Sequence, residues 1–414
     1  MTPTDRTVVV IGTLDTKGPE IAYLRDRLRH LGLATTVVDS GILGEPLGIV
    51  PDISHDEVAR RGGTTIEALR DAGTRGAAVR VMRDCLRTLV AELHQRGALH
   101  ALVTMGGAEG AVMGAAAAMQ LPIGVPKVVV SPIASGRHEF APLVGTRDMM
   151  VVHSIVDIHG LNPVATTVFD NVAAAVAGMV DHGHPLPAAD DVADRYVAVT
   201  MLGNTTTAVG ALSARLATHG YEAVVFHSNG VGGPAMEELA RQGLFVGVID
   251  FTTNEVTDPL VGGIHDGGPD RLRVVSELGL PQVVVPGCID FSVFATGTVP
   301  PDLADRPVYD HNPEYTLVRT SRDEMAQIGR IFAERLGKAT APVHIVVPER
   351  GLSIPNTPDG PFWDVDADAA FLASLREHLR EDIEIRTSDR HVNDEQFGEE
   401  IADLFVSTMQ EQQP

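Results

Sequence analysis

Short apolar runs that end on glycine or polar loops alternate along this chain with stretches whose apolar positions recur every three or four residues. Residues 7–12 (TVVVIG) carry β-branched residues without alternation, which predicts a strand buried on both faces. Ile21, Leu24, Leu28 and Leu31 then repeat at helical steps, with Pro19 in the first turn and Gly32 after the last. The same order continues with a strand at 34–39, a capping box at Ser54 and Glu57, and a helix over about 75–96. Strands follow at 99–105 and 127–131 and near 150–155, then a helix over about 164–181. Residues 182–194 are polar, rich in Pro and Asp, and have no period. Beyond them the pattern restarts, with strands at 195–202, 221–227, 245–250, 282–286, 343–347 and 382–386. A last helix starts near Asn393 and buries Phe397, Ile401 and Leu404. Repeated strand–turn–helix units predict an α/β protein of two Rossmann-like domains, each a doubly wound, mostly parallel sheet flanked by helices. The expected division is 1–183, a linker at 184–194, and 195–414.

Length agrees, because 414 residues exceed one ordinary core. Aromatic residues are only 4% of a chain that is 44% hydrophobic, so the interior must be packed from small aliphatic side chains and glycine. The net charge of −23 repels nucleic-acid phosphates and anionic membranes, so neither is an expected partner. Only Cys85 and Cys288 are present, which fits a reducing compartment rather than a disulfide framework. The first residues lack a signal-peptide pattern and no run nears a membrane-spanning length, so the expected location is the cytoplasm.

Parallel α/β sheets bind ligands at the carboxyl ends of their strands, so the loops after the strands carry the chemistry. The turn Gly12-Thr13-Leu14-Asp15-Thr16-Lys17-Gly18 joins the first strand to the first helix. A helix start offers free N–H groups and a positive dipole end, which suits a phosphate. Thr13, Thr16 and Lys17 add donors, and Asp15 could hold a metal ion or a ribose hydroxyl. The order is not that of a P-loop. Asp39, followed by Ser40 and Gly41, ends the second strand about where Rossmann proteins hold a ribose, although G-x-G-x-x-G is missing. Gly106-Gly107 lets backbone approach a ligand closely, and 131–136 (SPIASG) forms a fourth glycine-containing loop. The bland alternative for each is a capped turn. Four such turns in one lobe favour a nucleotide or another phosphorylated molecule.

The second lobe offers His227, Glu255 and His265 near strand ends, as acid–base catalysis needs. Asn204, Asn229, Gly230, Gly232 and Gly233 would supply donors to a substrate anion, and His311 lies further along. The alternative is that Glu255 caps a helix and the histidines satisfy buried carbonyls. Neither H-x-x-x-H nor H-E-x-x-H spacing occurs, so no metal centre is expected, and no G-x-S-x-G elbow marks an α/β-hydrolase.

At these loops the sequence becomes specific. VIGTLDTKGPEI, DSGILGEP, TMGGAEG, LGNTTTAV, FHSNGVGGPAMEEL and HNPEYTLVRTS together resemble one uncharacterised bacterial family across almost the whole chain. It is the family similar to the amino-terminal, ATP-binding part of the tomato mosaic virus resistance protein. The resemblance implies two Rossmann-like domains, ATP binding in the first, and a homodimer. It also implies a separate partner resembling the phosphoenolpyruvate-hydrolase-like barrel that the plant protein carries. ATP, with Mg²⁺, is placed on Gly12 to Lys17, Asp39 to Gly41 and Gly106-Gly107 by the loop reading. Three functions remain open at this point. One is an ATP-using metabolic enzyme acting in a cleft between the lobes. Another is an epimerase, lyase or hydrolase without ATP, acting on a carboxylated or sugar-like substrate. The third is a regulatory module steadied by nucleotide.

Overall fold

The computed structural model describes residues 6–134, 141–186 and 195–412. The chain divides into two compact units, 1–186 and 187–414. Most of the expected linker, and the end of the 131–136 loop, lie outside the described residues.

In the first unit, β1 (Thr7–Gly12), β2 (Ala34–Asp39), β3 (Ala101–Met105), β4 (Lys127–Ser131) and β5 (Met150–His153) form a parallel sheet in the order β2-β1-β3-β4-β5. Val8 to Val10 are fully buried because both faces of β1 are covered. On one face lie α1 (Leu14–His30) and, from farther along the chain, the long helix Pro163–His182. Between β2 and β3 the chain makes three helices: α2 (His55–Arg61), α3 (Ile66–Arg70) and α4 (Arg75–Gln95). Ser54, Thr65 and Thr74 cap their starts through side-chain oxygens. With α5 (Ala108–Ala118), they cover the other face through Met82, Leu86, Leu89 and Met113. The first unit closes with α6 (Ala141–Val144) and α7 (Pro163–His182). By length and hydropathy α7 alone among the described residues could cross a membrane, but Phe169, Val172 and Val176 pack it onto the sheet.

The second unit repeats the topology. Its parallel sheet comprises β6 (Tyr196–Met201), β7 (Glu222–His227), β8 (Gly247–Thr252), β9 (Gln282–Gly287) and two later strands, Val343–Pro348 and Glu384–Ser388. Both sheets are parallel and flanked by helices, as the Rossmann-like expectation requires. An addition is a small antiparallel sheet of β10 (Phe291–Ala295), β11 (Val308–Asp310) and β12 (Tyr315–Arg319). The two later parallel strands are β13 and β14. Of the helices, α8 (Thr206–Thr218) packs on the terminal helix Glu395–Glu411 through Leu212 and Phe405, and α9 (Gly232–Arg241) follows β7.

Candidate functional site

In each sheet the strand order reverses at one point, β1/β3 in the first unit and β6/β8 in the second, and the crevice there is the usual ligand position. At β1/β3 a cavity of about 890 Å³ opens. Six of the nine residues expected to bind cofactor line it: Thr13, Asp15, Thr16, Lys17, Gly41 and Gly107.

The other three shape it from behind. Gly12 is buried at the end of β1, where a Cβ would press 2.6 Å from Ile21 Cδ1, so its role is close strand–helix packing. Gly106 is held by α5, since a Cβ would come within 2.9 Å of Gly110 Cα. Asp39 is fully buried and does not line the cavity. Its Oδ1 accepts from the N–H groups of Leu14 at 3.1 Å and Gly41 at 2.8 Å, and Oδ2 pairs with His55 Nδ1 at 3.0 Å. Burial raises the Asp39 pKa against these contacts. The carboxylate thus ties β2 to the start of α1.

The α1 start is bent. Lys17 leaves helical geometry at φ −127°, ψ 15°, two residues before Pro19, whose ring cannot continue the first turn. Asp15 Oδ2 accepts from Gly44 N–H at 3.2 Å, and Arg70 Nε donates to the Ile42 carbonyl at 2.7 Å. Together they hold the 41–44 loop as one wall. Lys17 Nζ donates to the Ile158 carbonyl, and Arg75 Nε to Glu109 at 2.8 Å across the rim. Ile42, Leu43, Leu69, Val79 and Met113 give the cavity an apolar side. The start of α5 gives it a polar one. Gly107 caps α5 with no side-chain bond, and a Cβ there would meet only open space. The residues contributed by α3 and α4 were not foreseen. Thr65 and Thr74 were the available signal, because each sits three residues before a backbone N–H that it caps.

At β6/β8 the expected catalytic set takes a different form. Glu255 is fully buried, with Oε1 accepting from Gly230 N–H at 2.8 Å and Gly233 N–H at 3.1 Å. Its Oε2 accepts from Arg271 Nε at 2.6 Å. Arg271, also fully buried, reaches Asp250 at 2.7 Å and Glu237 at 3.4 Å. Burial pushes the Glu237 carboxyl up to about 7 despite Arg271. A carboxylate with both oxygens engaged is a structural anion rather than a free base. It also takes the N–H groups expected to bind a substrate anion. Asn229 Oδ1 takes two more, from Val231 at 3.3 Å and Gly232 at 3.4 Å. Asn204 accepts from Ile354 N–H at 3.1 Å. His227 stands exposed at the end of β7, while His265 is 8% exposed. Burial, then the His227 and His311 imidazoles, lowers the His265 pKa to about 4. The carboxylate next to His265, that of Asp258, accepts from the His265 backbone N–H at 2.7 Å rather than from the ring.

Fold and sites define a two-unit parallel α/β protein of Rossmann-like type, with a cavity at the topological switch of the first unit. Residues 6–185 match the amino-terminal domain of the Uncharacterised protein family (UPF0261), and residues 194–409 match its carboxy-terminal domain. The chain belongs to the UPF0261 family. A "UPF0261 protein" of Clostridium tetani is 35% identical over 98% of this chain and 100% of its own length. ToMV resistance protein Tm-1(GCR237) of Solanum lycopersicum is 33% identical over 96% of this chain, which spans 55% of the tomato protein. A solved UDP-N-acetylglucosamine 2-epimerase aligns over 99% of this chain and 98% of that one, at 10% identity and a TM-score of 0.21, too distant to bear on function.

Proposed function

We propose that the amino-terminal unit binds ATP with Mg²⁺ in the β1/β3 cavity, and that the protein is a cytoplasmic enzyme using that nucleotide on a small molecule. The observation that carries the reading is the two-sided cavity of about 890 Å³, within the size range of small-molecule pockets. Ile42, Leu43, Leu69, Val79 and Met113 offer an apolar slot for a base. Thr13, Thr16 and the uncapped start of α5 at Gly107 offer hydroxyls and N–H groups for phosphates. The resemblance carried by VIGTLDTKGPEI points to the same ligand.

The charges refine the expectation. Arg70 and Arg75 are already bound to Ile42 and Glu109, and Lys17 spends one of its three donors on Ile158. Phosphate binding therefore leans on helix N–H groups, hydroxyls and a divalent ion. Asp15, whose Oδ2 serves Gly44, has a second oxygen for that ion. Calorimetry with ATP, with and without Mg²⁺, tests the reading, and ATP turnover separates enzyme from regulatory module. Absence of heat and of thermal stabilisation at millimolar Mg-ATP would refute it.

A further inference from the structure

The carboxy-terminal unit keeps, beside His265, a buried polar atom that its own packing leaves unused. Asn254, fully buried in the turn after β8, donates from Nδ2 to His265 Nδ1 at 3.2 Å. An amide nitrogen only donates, so His265 Nδ1 is an acceptor and its proton sits on Nε2. Asn254 Oδ1 is buried with no partner. An orphaned buried acceptor is costly and calls for an explanation. His265 thus offers an N–H donor at Nε2, and Asn254 an unpartnered carbonyl acceptor.

Other groups converge there. The Tyr315 ring meets His265 edge-on, with centroids 6.2 Å apart. His311 stands over the end of β6, where a Cβ on Gly203 would lie 3.8 Å from its Cε1 and Nε2. A Cβ on Gly230, after His227, would lie 3.1 Å from His265 Cα. The β7 loop therefore approaches the His265 backbone and His311 approaches the β6 loop, near the point where strand order reverses. The carboxylates nearby are engaged. Glu255 is tied to Arg271 and two N–H groups, and Asp258 accepts from His265 N–H at 2.7 Å and Val293 N–H at 3.2 Å. Asp266, exposed, accepts from Gly268 N–H at 2.7 Å.

We propose that the ends of β6 and β8 form a second ligand site, for a small hydroxy carboxylate, held by His265 and Asn254 with His227 and His311 at its mouth. The ligand hydroxyl donates to Asn254 Oδ1, which satisfies the orphan. The adjacent carboxylate accepts from His265 Nε2–H and from the His227 and His311 rings. A metal fits less well. A proton on His265 Nε2 removes that lone pair, and among the described residues no three His, Cys, Asp or Glu groups stand where they could hold an ion. This site does not depend on ATP binding in the other unit.

Imidazole ¹H–¹⁵N spectra of the full chain test it, with matched acids at about 10 mM, far above a micromolar Kd. Glycolate, L-malate, citrate and D-gluconate are compared with acetate and succinate. At least one hydroxy acid should shift the His265 and His311 resonances, binding at least tenfold tighter than its deoxy partner. Asn254→Ala should erase that preference. Because Asn254 is buried and its variant can fail to fold, His311→Ala at an exposed position is the second variant, expected to weaken binding at least threefold. No shift with any hydroxy acid, equal binding of L-malate and succinate, or a response to Zn²⁺ alone would each overturn the proposal.

Discussion

Gly110→Asp separates the fold of the first unit from its proposed ligand. Gly110 lies in the first turn of α5 and lines the cavity, and a Cβ added there would meet only Thr13 Cγ2, at 3.9 Å. The backbone tolerates the change. Glycine in a helix costs about 1 kcal/mol relative to alanine, and an acid in the first turn gains about 0.3–1 kcal/mol from the dipole. Folding stability should hold or rise. A phosphate at this helix start would instead face a carboxylate. Two unit charges about 4 Å apart repel by about 4 kcal/mol at an effective dielectric constant of 20. Solvent at the open cavity screens part of this, leaving roughly 1.4–2.8 kcal/mol, a tenfold to hundredfold loss of ATP affinity. Gly110→Asn, of nearly equal size but neutral, should lose far less. Calorimetry reads the affinity and thermal unfolding reads the fold. A stable Gly110→Asp variant with wild-type ATP affinity would refute phosphate placement at α5. Equal losses in both variants would show a steric effect and refute the electrostatic argument.

Other expectations follow from the same contacts. Lys17→Ala should weaken ATP binding about tenfold by calorimetry, since a charge-assisted phosphate contact is worth about 1.5–3 kcal/mol. Arg271→Met should destabilise the second unit by about 3–5 kcal/mol in denaturant unfolding, because it strands Asp250, Glu255 and Glu237 without their cation. Burial lifts Glu237 to about 7 in the folded state, so the native unit holds a proton that the unfolded chain has released above its ordinary carboxyl range. Its contribution is full below that range and is lost as pH rises towards 7. Glu237→Gln should remove up to about tenfold per pH unit from the dependence of the folding equilibrium between pH 5 and 7, read by urea unfolding. Light scattering at micromolar concentration should give twice the 44.0 kDa of the chain, and a monomer would end the dimer expectation.

What the sequence made legible, and what it did not, follows from the range of the interactions involved. The unbroken apolar run at 7–12 and the 3–4 spacing of Ile21, Leu24 and Leu28 are local signals, and β1 and α1 lie where they point. The short strand β11 carries no such signal, because VYD is too brief to show a period. Arg271 gave no hint either. An arginine normally reads as surface, and only the fold brings Asp250, Glu255 and Glu237 around it.

Glu255 shows where pattern reading reaches its physical limit. Both units place a glycine-rich turn between a parallel strand and the helix that follows it, and both turns look alike as anion sites. What distinguishes them is which acceptor takes the N–H groups. At α9 the carboxylate of Glu255, arriving from the next strand's loop, accepts from Gly230 and Gly233 and is neutralised by Arg271. A Cβ on Gly233 would overlap both Glu255 Oε2 and Arg271 Nε, so this glycine serves an internal anion. At α5 no side chain among the described residues caps the start, and a Cβ on Gly107 would meet none of them. The same local chemistry is spent on stability in one unit and left open in the other. Glycine-rich turns therefore mark places where an anion is welcome. Whether that anion is a ligand or the protein's own carboxylate depends on a residue more than twenty positions away, which no local motif encodes.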